Sequence, residues 1–299
     1  MNFFPTISVV MPVYNYGSFI KESIDSVLNQ TMIDFELIII NDGSTDNSSE
    51  IAHSYLDKRL KIIDLPRNRG NYTARNSGMR IAAGKYICVM DADDLCLPDR
   101  LEKQYRFMEE NAEFGLIGGA FKYFHNNRPV FRETDYETIQ LLLLLYCYLH
   151  HPTCMIRSSY VRKYNLFYNE SYTYSSDHDW EVRASSLFPI GNINEPLLFY
   201  RSHDKQISNR KKMEQLSFTD QIRVNQLSFF GIKPSEAEKT LHIALIKSVA
   251  NAYINEKKID RWINRLLESN HKTGYYSQQK LKDCMQMLKY LYINKIEQV

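Results

Sequence analysis

Along the first hundred positions, apolar residues alternate between short continuous runs and spaced repeats. Ile7-Ser8-Val9-Val10-Met11 is a β-branched apolar run stopped by Pro12, which predicts a buried strand. From Phe19 to Gln30 the apolar positions Phe19, Ile20, Ile24, Val27 and Leu28 recur at helical spacing. Phe35 to Ile40 reads as a second strand, ended by the turn signal Asn41-Asp42-Gly43. A helix over about Asp46 to Leu56, a strand over Lys61 to Leu65 and a helix over Tyr72 to Ala82 follow. Tyr86 to Met90 is the fourth strand. Strands alternating with helices predict βαβ units, an α/β fold with a mostly parallel sheet covered on both faces. Ligands in such sheets bind beyond the carboxyl ends of the strands. Tyr14-Asn15, Asn41-Asp42 and Asp91-Ala92-Asp93 each follow a strand, so one shared site is expected.

After Pro98, which is placed to open a helix continued by Leu101, Tyr105 and Met108, the pattern becomes mixed. Short apolar runs at Leu116-Ile117, Thr153 to Ile156 and Pro189 to Tyr200 alternate with polar stretches. From about Lys211 strand signals fade, and Glu236 to Ile254 and Gln279 to Ile293 look like amphipathic helices. Three parts are expected: residues 1–100, residues 101–210, and a helical module over 211–299.

Composition is ordinary for a globular chain of 299 residues, with 44% hydrophobic and 24% charged residues. The net charge of +2 carries no nucleic-acid signature, but it is unevenly spread. Residues 205–299 hold 17 Lys and Arg against 9 Asp and Glu, so that region is basic and the rest is acidic. Such asymmetry suits contact with an anionic membrane surface, and equally suits solvated helix faces. Five scattered cysteines without a C-x-x-C pair point to free thiols in a reducing compartment. The start lacks the charged residues and long apolar run of a signal peptide. The leucine-rich stretch Ile139 to Leu149 is too short to span a bilayer. A cytoplasmic protein, peripheral on the inner face of the membrane, is the expectation.

The candidate chemistry begins at Asp91-Ala92-Asp93-Asp94, directly after the fourth strand. Two aspartates separated by one residue face the same way on extended backbone and offer hard oxygens to Mg²⁺ or Mn²⁺. Such an ion would bridge the chain to a diphosphate. Asn41-Asp42-Gly43-Ser44-Thr45-Asp46 is a turn with a helix cap from Ser44 or Thr45. Asp42 precedes that cap, and its carboxylate suits a nucleobase N–H. Arg67-Asn68-Arg69-Gly70 and Ala74-Arg75-Asn76-Ser77-Gly78 precede and open the next helix. Arg75 there has the planar fork that grips phosphate oxygens, or a surface carboxylate.

Taken together, these residues resemble the inverting glycosyltransferases of family 2. Ile7 to Asn15 looks like that family's first strand and base-binding loop. Gln30-Thr31, Asn41 to Asp46, Asn68-x-Gly70, Ala74-Arg75-Asn76-x-Gly78 and Gly84-Lys85-Tyr86-Ile87 then fall in the family's order before Asp91-Ala92-Asp93-Asp94. The likeness is continuous from about Thr6 to Arg106 and thinner to about Ser208. His151-Pro152-Thr153-Cys154-Met155-Ile156-Arg157 looks like the acceptor-side segment. Ser176-Asp177-His178-Asp179-Trp180 resembles the family's Glu-Asp motif, with Ser176 where glutamate is usual and Trp180 one place early.

The resemblance implies a GT-A fold: a Rossmann-like, mostly parallel mixed sheet flanked by helices, here with a helical C-terminal extension. The nucleotide-sugar half would lie in residues 1–100 and the acceptor half in 101–210. It implies a UDP-sugar donor, with Pro12, Val13, Tyr14, Asn15 and Asp42 holding base and ribose, and Asn68, Arg75, Asp91, Ala92 and Asp93 around the diphosphate. Asp91 and Asp93 would bind Mn²⁺ or Mg²⁺, with His203 completing the metal shell. Asp177 is the implied catalytic base, and Asp179 is the neighbouring alternative. The expected reaction is inverting transfer of a hexose or N-acetylhexosamine to a glycan or glycolipid acceptor in lipooligosaccharide, O-antigen or capsule synthesis. Tyrosine-rich segments and Trp180 are candidates for the acceptor platform, and the helical tail offers a surface for self-association. A nicotinamide oxidoreductase is disfavoured because no G-x-G-x-x-G follows the first strand, and an NTPase because no G-x-x-x-x-G-K-[ST] occurs. A non-catalytic carbohydrate-binding protein keeping the fold is the remaining alternative.

Overall fold

The computed structural model describes residues 5–203, 206, 211–249, 251 and 253–296. Its chain falls into two compact units, Met1–Thr134 with Leu149–Arg210, and Asp135–Tyr148 with Lys211–Val299.

The first unit opens with β1 (Ile7–Val13), α1 (Ile20–Leu28), β2 (Phe35–Asn41), α2 (Ser48–His53), β3 (Leu60–Asp64), α3 (Asn71–Ile81) and β4 (Tyr86–Val89). β5 (Leu95–Cys96), α4 (Arg100–Glu110), β6 (Leu116–Tyr123) and β7 (Pro129–Val130) follow. After α5 (Tyr136–Leu142), which belongs to the second unit, come β8 (Met155–Arg157), α6 (Ser158–Tyr164), α7 (Ser176–Ser185) and β9 (Ile190–Tyr200). The strands form one mixed sheet in the order β3-β2-β1-β4-β8-β6-β9-β5, with β7 on β6. β3, β2, β1 and β4 are parallel, and β8 runs antiparallel to both β4 and β6.

Every residue of β1 and β2 is buried, as continuous apolar strands between two helical layers should be. Pro12 does not stop β1 as its sequence suggests. The Val10 carbonyl accepts the Met90 N–H on the β4 side, and Pro12 faces that same side two residues on, past the end of β4. Its missing N–H therefore costs no ladder bond. α1 turns Ile20, Ile24 and Val27 onto the sheet. Close packing of α3 requires Gly78, where a Cβ would stand 2.5 Å from Val10 Cγ1. β1 has β2 on one side and β4 on the other, so the chain reverses its winding there. The crevice beyond the ends of β1 and β4 is the switch point at which such sheets bind ligands.

The second unit comprises α5 with α8 (Lys212–Asn225), α9 (Glu236–Lys247), α10 (Glu256–Thr273) and α11 (Gln278–Ile296). Its own core gathers Leu144, Leu227, Phe230, Leu245, Trp262, Leu266, Leu281 and Tyr292. The leucine-rich run, read as part of residues 101–210, thus supplies this helical core through Leu141 and Leu144. The helix expected over Glu236 to Ile254 ends at Lys247, because Ser248 takes a left-handed conformation (φ 49°). α9 begins with a capping box between Ser235 and Glu238. No helix among the described residues is long and apolar enough to cross a membrane.

Candidate active site

The carboxylate triplet sits in a turn just past β4, not on the extended backbone its spacing suggested. The turn brings in a third carboxylate: oxygens of Asp91, Asp93 and Asp94 lie within 4.8 Å of one another. Ser23 of α1 fixes that turn, its hydroxyl 2.8 Å from the Ala92 carbonyl and 2.7 Å from that of Asp94. Ala92 is itself buried beneath the turn. The fully buried Arg100 donates to the Val89 carbonyl at 2.8 Å and so anchors the end of β4.

Crowding these charges in a dry site is costly unless a cation joins them. Burial, then the Asp91 charge, raises Asp93 above the ordinary aspartate range, against the opposing pull of His203. Burial and the charges of Asp93 and Asp91 push Asp94 well up. Asp94 Oδ1 accepts the Arg201 N–H at 3.0 Å, while its buried Oδ2 has no hydrogen-bond partner among the described residues. His203 Nε2 lies 2.9 Å from Asp93 Oδ2, its ring stacked on Phe19 with centroids 4.6 Å apart. An imidazole nitrogen and clustered carboxylate oxygens, one of them orphaned, form a donor set that fits Mn²⁺ or Mg²⁺.

Arg75 is buried and ion-paired with Asp91. Burial works against its charge, but Asp91 and the nearby Tyr168, Tyr72 and Asp177 more than offset this. The neighbouring Asn76 donates to the Tyr168 carbonyl and accepts its N–H, both at 2.9 Å, clamping the loop before α7. Asp177, in the first turn of α7, accepts the Tyr72 hydroxyl at 3.2 Å. Asp179 instead binds Arg183 at 2.8 Å on its own helix.

The residues expected on the nucleotide side lie at the ends of β1 and β2. Pro12 and Val13 are buried strand residues, and Tyr14 is exposed. Asn15 adopts a left-handed conformation (φ 59°) and its side-chain oxygen accepts the Thr45 N–H at 2.8 Å, tying the two loops together. Asp42 is buried, and its two oxygens accept the Arg69 and Gly70 N–H groups at 2.8 Å each. Burial raises its pKa above the usual value, only partly countered by those two donors. The carboxylate expected to meet a nucleobase therefore also holds the loop before α3. Gly43 makes that turn feasible, since a Cβ there would stand 2.6 Å from the Arg67 backbone at φ +69°. Asn68 is exposed and accepts the Gly70 N–H at 3.0 Å. The resembling stretch beyond His203, up to Ser208, lies outside the described residues except for Gln206.

Ser23, Asp94 as a third carboxylate, Arg201, Tyr72 and Tyr168 also stand at the site and are not among the residues expected there. Asp94 was adjacent in the run, and Tyr72 stands three residues before Arg75 on the same helix face, so both had a signal. Ser23 and Tyr168 had none, being joined to the site only by long-range contacts.

A mixed sheet with a carboxylate turn at its switch point is the architecture of nucleotide-sugar enzymes of the GT-A type. The sequence matches the family described as "Glycosyl transferase family 2" over residues 8–167, and the chain belongs to that family of transferases. A glycosyltransferase of Haemophilus influenzae is 31% identical over 242 residues, covering 76% of this chain and 74% of its own. The Escherichia coli O-antigen biosynthesis glycosyltransferase WbnJ is 34% identical over 212 residues, covering 67% and 80%. Among solved structures, Staphylococcus aureus TarS 1–349 in complex with UDP-GlcNAc superposes with a TM-score of 0.65 at 18% identity. That superposition covers 96% of this chain and 88% of TarS 1–349, and it shows the shared fold. Asp177 and His203 lie beyond the family match, so their place in the site rests on geometry and the resemblance above.

Proposed function

We propose that this chain is a metal-dependent, inverting transferase that moves a hexose or N-acetylhexosamine from a UDP-sugar to a glycan acceptor. The observation that carries the reading is the packed set Asp91, Asp93 and Asp94 at the switch point, with His203 against Asp93. Asp91, Asp93 and His203 would hold Mn²⁺ or Mg²⁺. When bound, the ion would neutralise charge gathering on the departing diphosphate, the part a protein acid would otherwise play. Arg75, buried beside Asp91, adds a fixed positive charge on the same side. Pro12, Val13, Tyr14, Asn15 and Asp42 frame the base and ribose, Asn68 shapes the loop before α3, and Ala92 backs the turn.

Asp177 takes the proton of the acceptor hydroxyl as its oxygen attacks the anomeric carbon. The bond from that carbon to the diphosphate oxygen breaks on the opposite face, its electron pair leaving with UDP. One such displacement inverts the centre. Asp177 is favoured over Asp179 because the latter is engaged by Arg183. A UDP donor accords with the UDP-GlcNAc complex of TarS, and a surface-glycan acceptor with the O-antigen role of WbnJ. The basic region after residue 204 is assigned to peripheral contact with anionic lipid on the cytoplasmic face, where the acceptor would be met. Its helices also offer a surface for self-association.

A screen of UDP-sugars with Mn²⁺ tests this, reading UDP release with and without glycan acceptors. One donor should turn over, chelation should stop it, and Asp93→Asn should lower the rate at least about a hundredfold. Unchanged turnover in Asp93→Asn or after chelation would overturn the metal assignment.

A further inference from the structure

The first turn of α3 carries a side chain that touches both halves of the site. Tyr72 lies one helical turn before Arg75, so the two share a face. Its hydroxyl donates to Asp177 Oδ1 at 3.2 Å, across 105 residues of chain. The same oxygen accepts the His178 N–H at 3.0 Å. Both anchors act on Oδ1, so a proton delivered to Oδ2 leaves them in place.

The ring that carries this hydroxyl is firmly seated. It stacks on Tyr168 with centroids 5.6 Å apart and planes 26° from parallel. Tyr168 in turn stacks on the fully buried Trp180 of α7 at 5.2 Å and 24°. The Tyr168 hydroxyl meets His151 Nε2 at 2.9 Å, and Asn76 clamps its backbone. The Arg75 guanidinium lies 6.0 Å from the Tyr72 ring centre and 5.8 Å from that of Tyr168. A ladder of three rings therefore runs from the start of α3 to the helix bearing Asp177, with Arg75 and its partner Asp91 alongside.

We propose that Tyr72 is a positioning residue for the transfer: it fixes the Asp177 carboxylate relative to the Arg75–Asp91 pair, so that base and leaving group keep one mutual geometry. The inference rests on the reading of Asp177 as the base. An aromatic residue placed only for packing would not need its hydroxyl. Here the ring's stack and its contact with Arg75 would both survive in phenylalanine, and the hydrogen bond to Asp177 would not.

The test is Tyr72→Phe, assayed with Mn²⁺ and the UDP-sugar found to turn over, alongside UDP binding by calorimetry. The expected result is a fall in kcat of about tenfold, with the donor KM and the UDP Kd within about twofold of the parent. Tyr72→Ala, which also strips the ring from Arg75, should weaken UDP binding as well. A parental kcat in Tyr72→Phe, or equal losses in kcat, KM and thermal stability, overturns the inference. If Asp177→Asn itself retains transfer, the reading of the base has failed instead.

Discussion

His203 Nε2 lies 2.9 Å from Asp93 Oδ2, although 110 residues separate the two in the chain. The ring is held from behind, stacked on Phe19 and edge-on to Tyr16. A histidine fixed in this way presents one nitrogen to the carboxylate turn with little conformational freedom left to lose. His203→Phe keeps the stack and deletes the nitrogen. The Mn²⁺ concentration for half-maximal activity should rise about tenfold or more, while thermal stability stays close to that of the parent. An unchanged metal requirement would remove His203 from the shell.

Arg75 and Asp91 give a second prediction. Arg75 is almost wholly buried, whereas Asp91 is about a third exposed. Arg75→Met should therefore cost less than the roughly 3–5 kcal/mol seen when a fully buried pair loses one partner. Activity should suffer more, because the positive charge beside the proposed diphosphate position disappears. Arg75→Lys should restore stability but not rate, since an ammonium lacks the planar fork. Thermal melts and kcat on the two variants separate these effects.

How much of this was visible in the chain follows from the range of the interactions. The parallel strands were legible because burial on both faces makes each one a continuous apolar run, as in Phe35 to Ile40. The end of β1 is not legible in the sequence because a proline normally breaks a ladder, and only the shortness of β4 spares Pro12 that cost. The clustering of Asp93 with Asp94 was half-legible from adjacency. Only the family resemblance marks His203 and Asp177, since no local pattern links residues so far from the carboxylate turn in sequence. The ladder Tyr72–Tyr168–Trp180 is of the same kind: three aromatics in a tyrosine-rich chain carry no mark of being stacked.

Asp177 and Asp179 sit two residues apart on α7 yet face different partners. Asp179 is tied to Arg183, whose guanidinium also donates to the Phe167 carbonyl at 2.6 Å. Asp179→Asn should thus lower stability by up to about 1 kcal/mol and leave most of the activity. Asp177→Asn should do the reverse, abolishing transfer without a comparable shift in Tm. Melting curves and UDP release on both variants decide the matter, and the opposite pattern would move the base two residues on.

The helical unit carries its own pH dependence, through His242. This residue of α9 is fully buried, its Nδ1 3.4 Å from the Trp262 indole nitrogen. Burial, reinforced by the Arg223 charge, lowers its pKa from 6.5 to about 4. The folded unit therefore holds the imidazole neutral where the unfolded chain would already be protonated. Stability from this site is complete above about pH 6.5 and is lost as the pH falls from there toward 4, by on the order of 3 kcal/mol. Trp180 and Trp262 are the two tryptophans, one in each unit, so Trp180→Phe leaves Trp262 as the reporter of the helical unit. Denaturant melts followed by its fluorescence should shift to lower midpoints between pH 7 and 4.5. His242→Gln, which cannot gain a proton, should flatten that dependence even if it lowers the midpoint at pH 7. A slope equal to the parent's would mean that the acid sensitivity of this unit arises elsewhere.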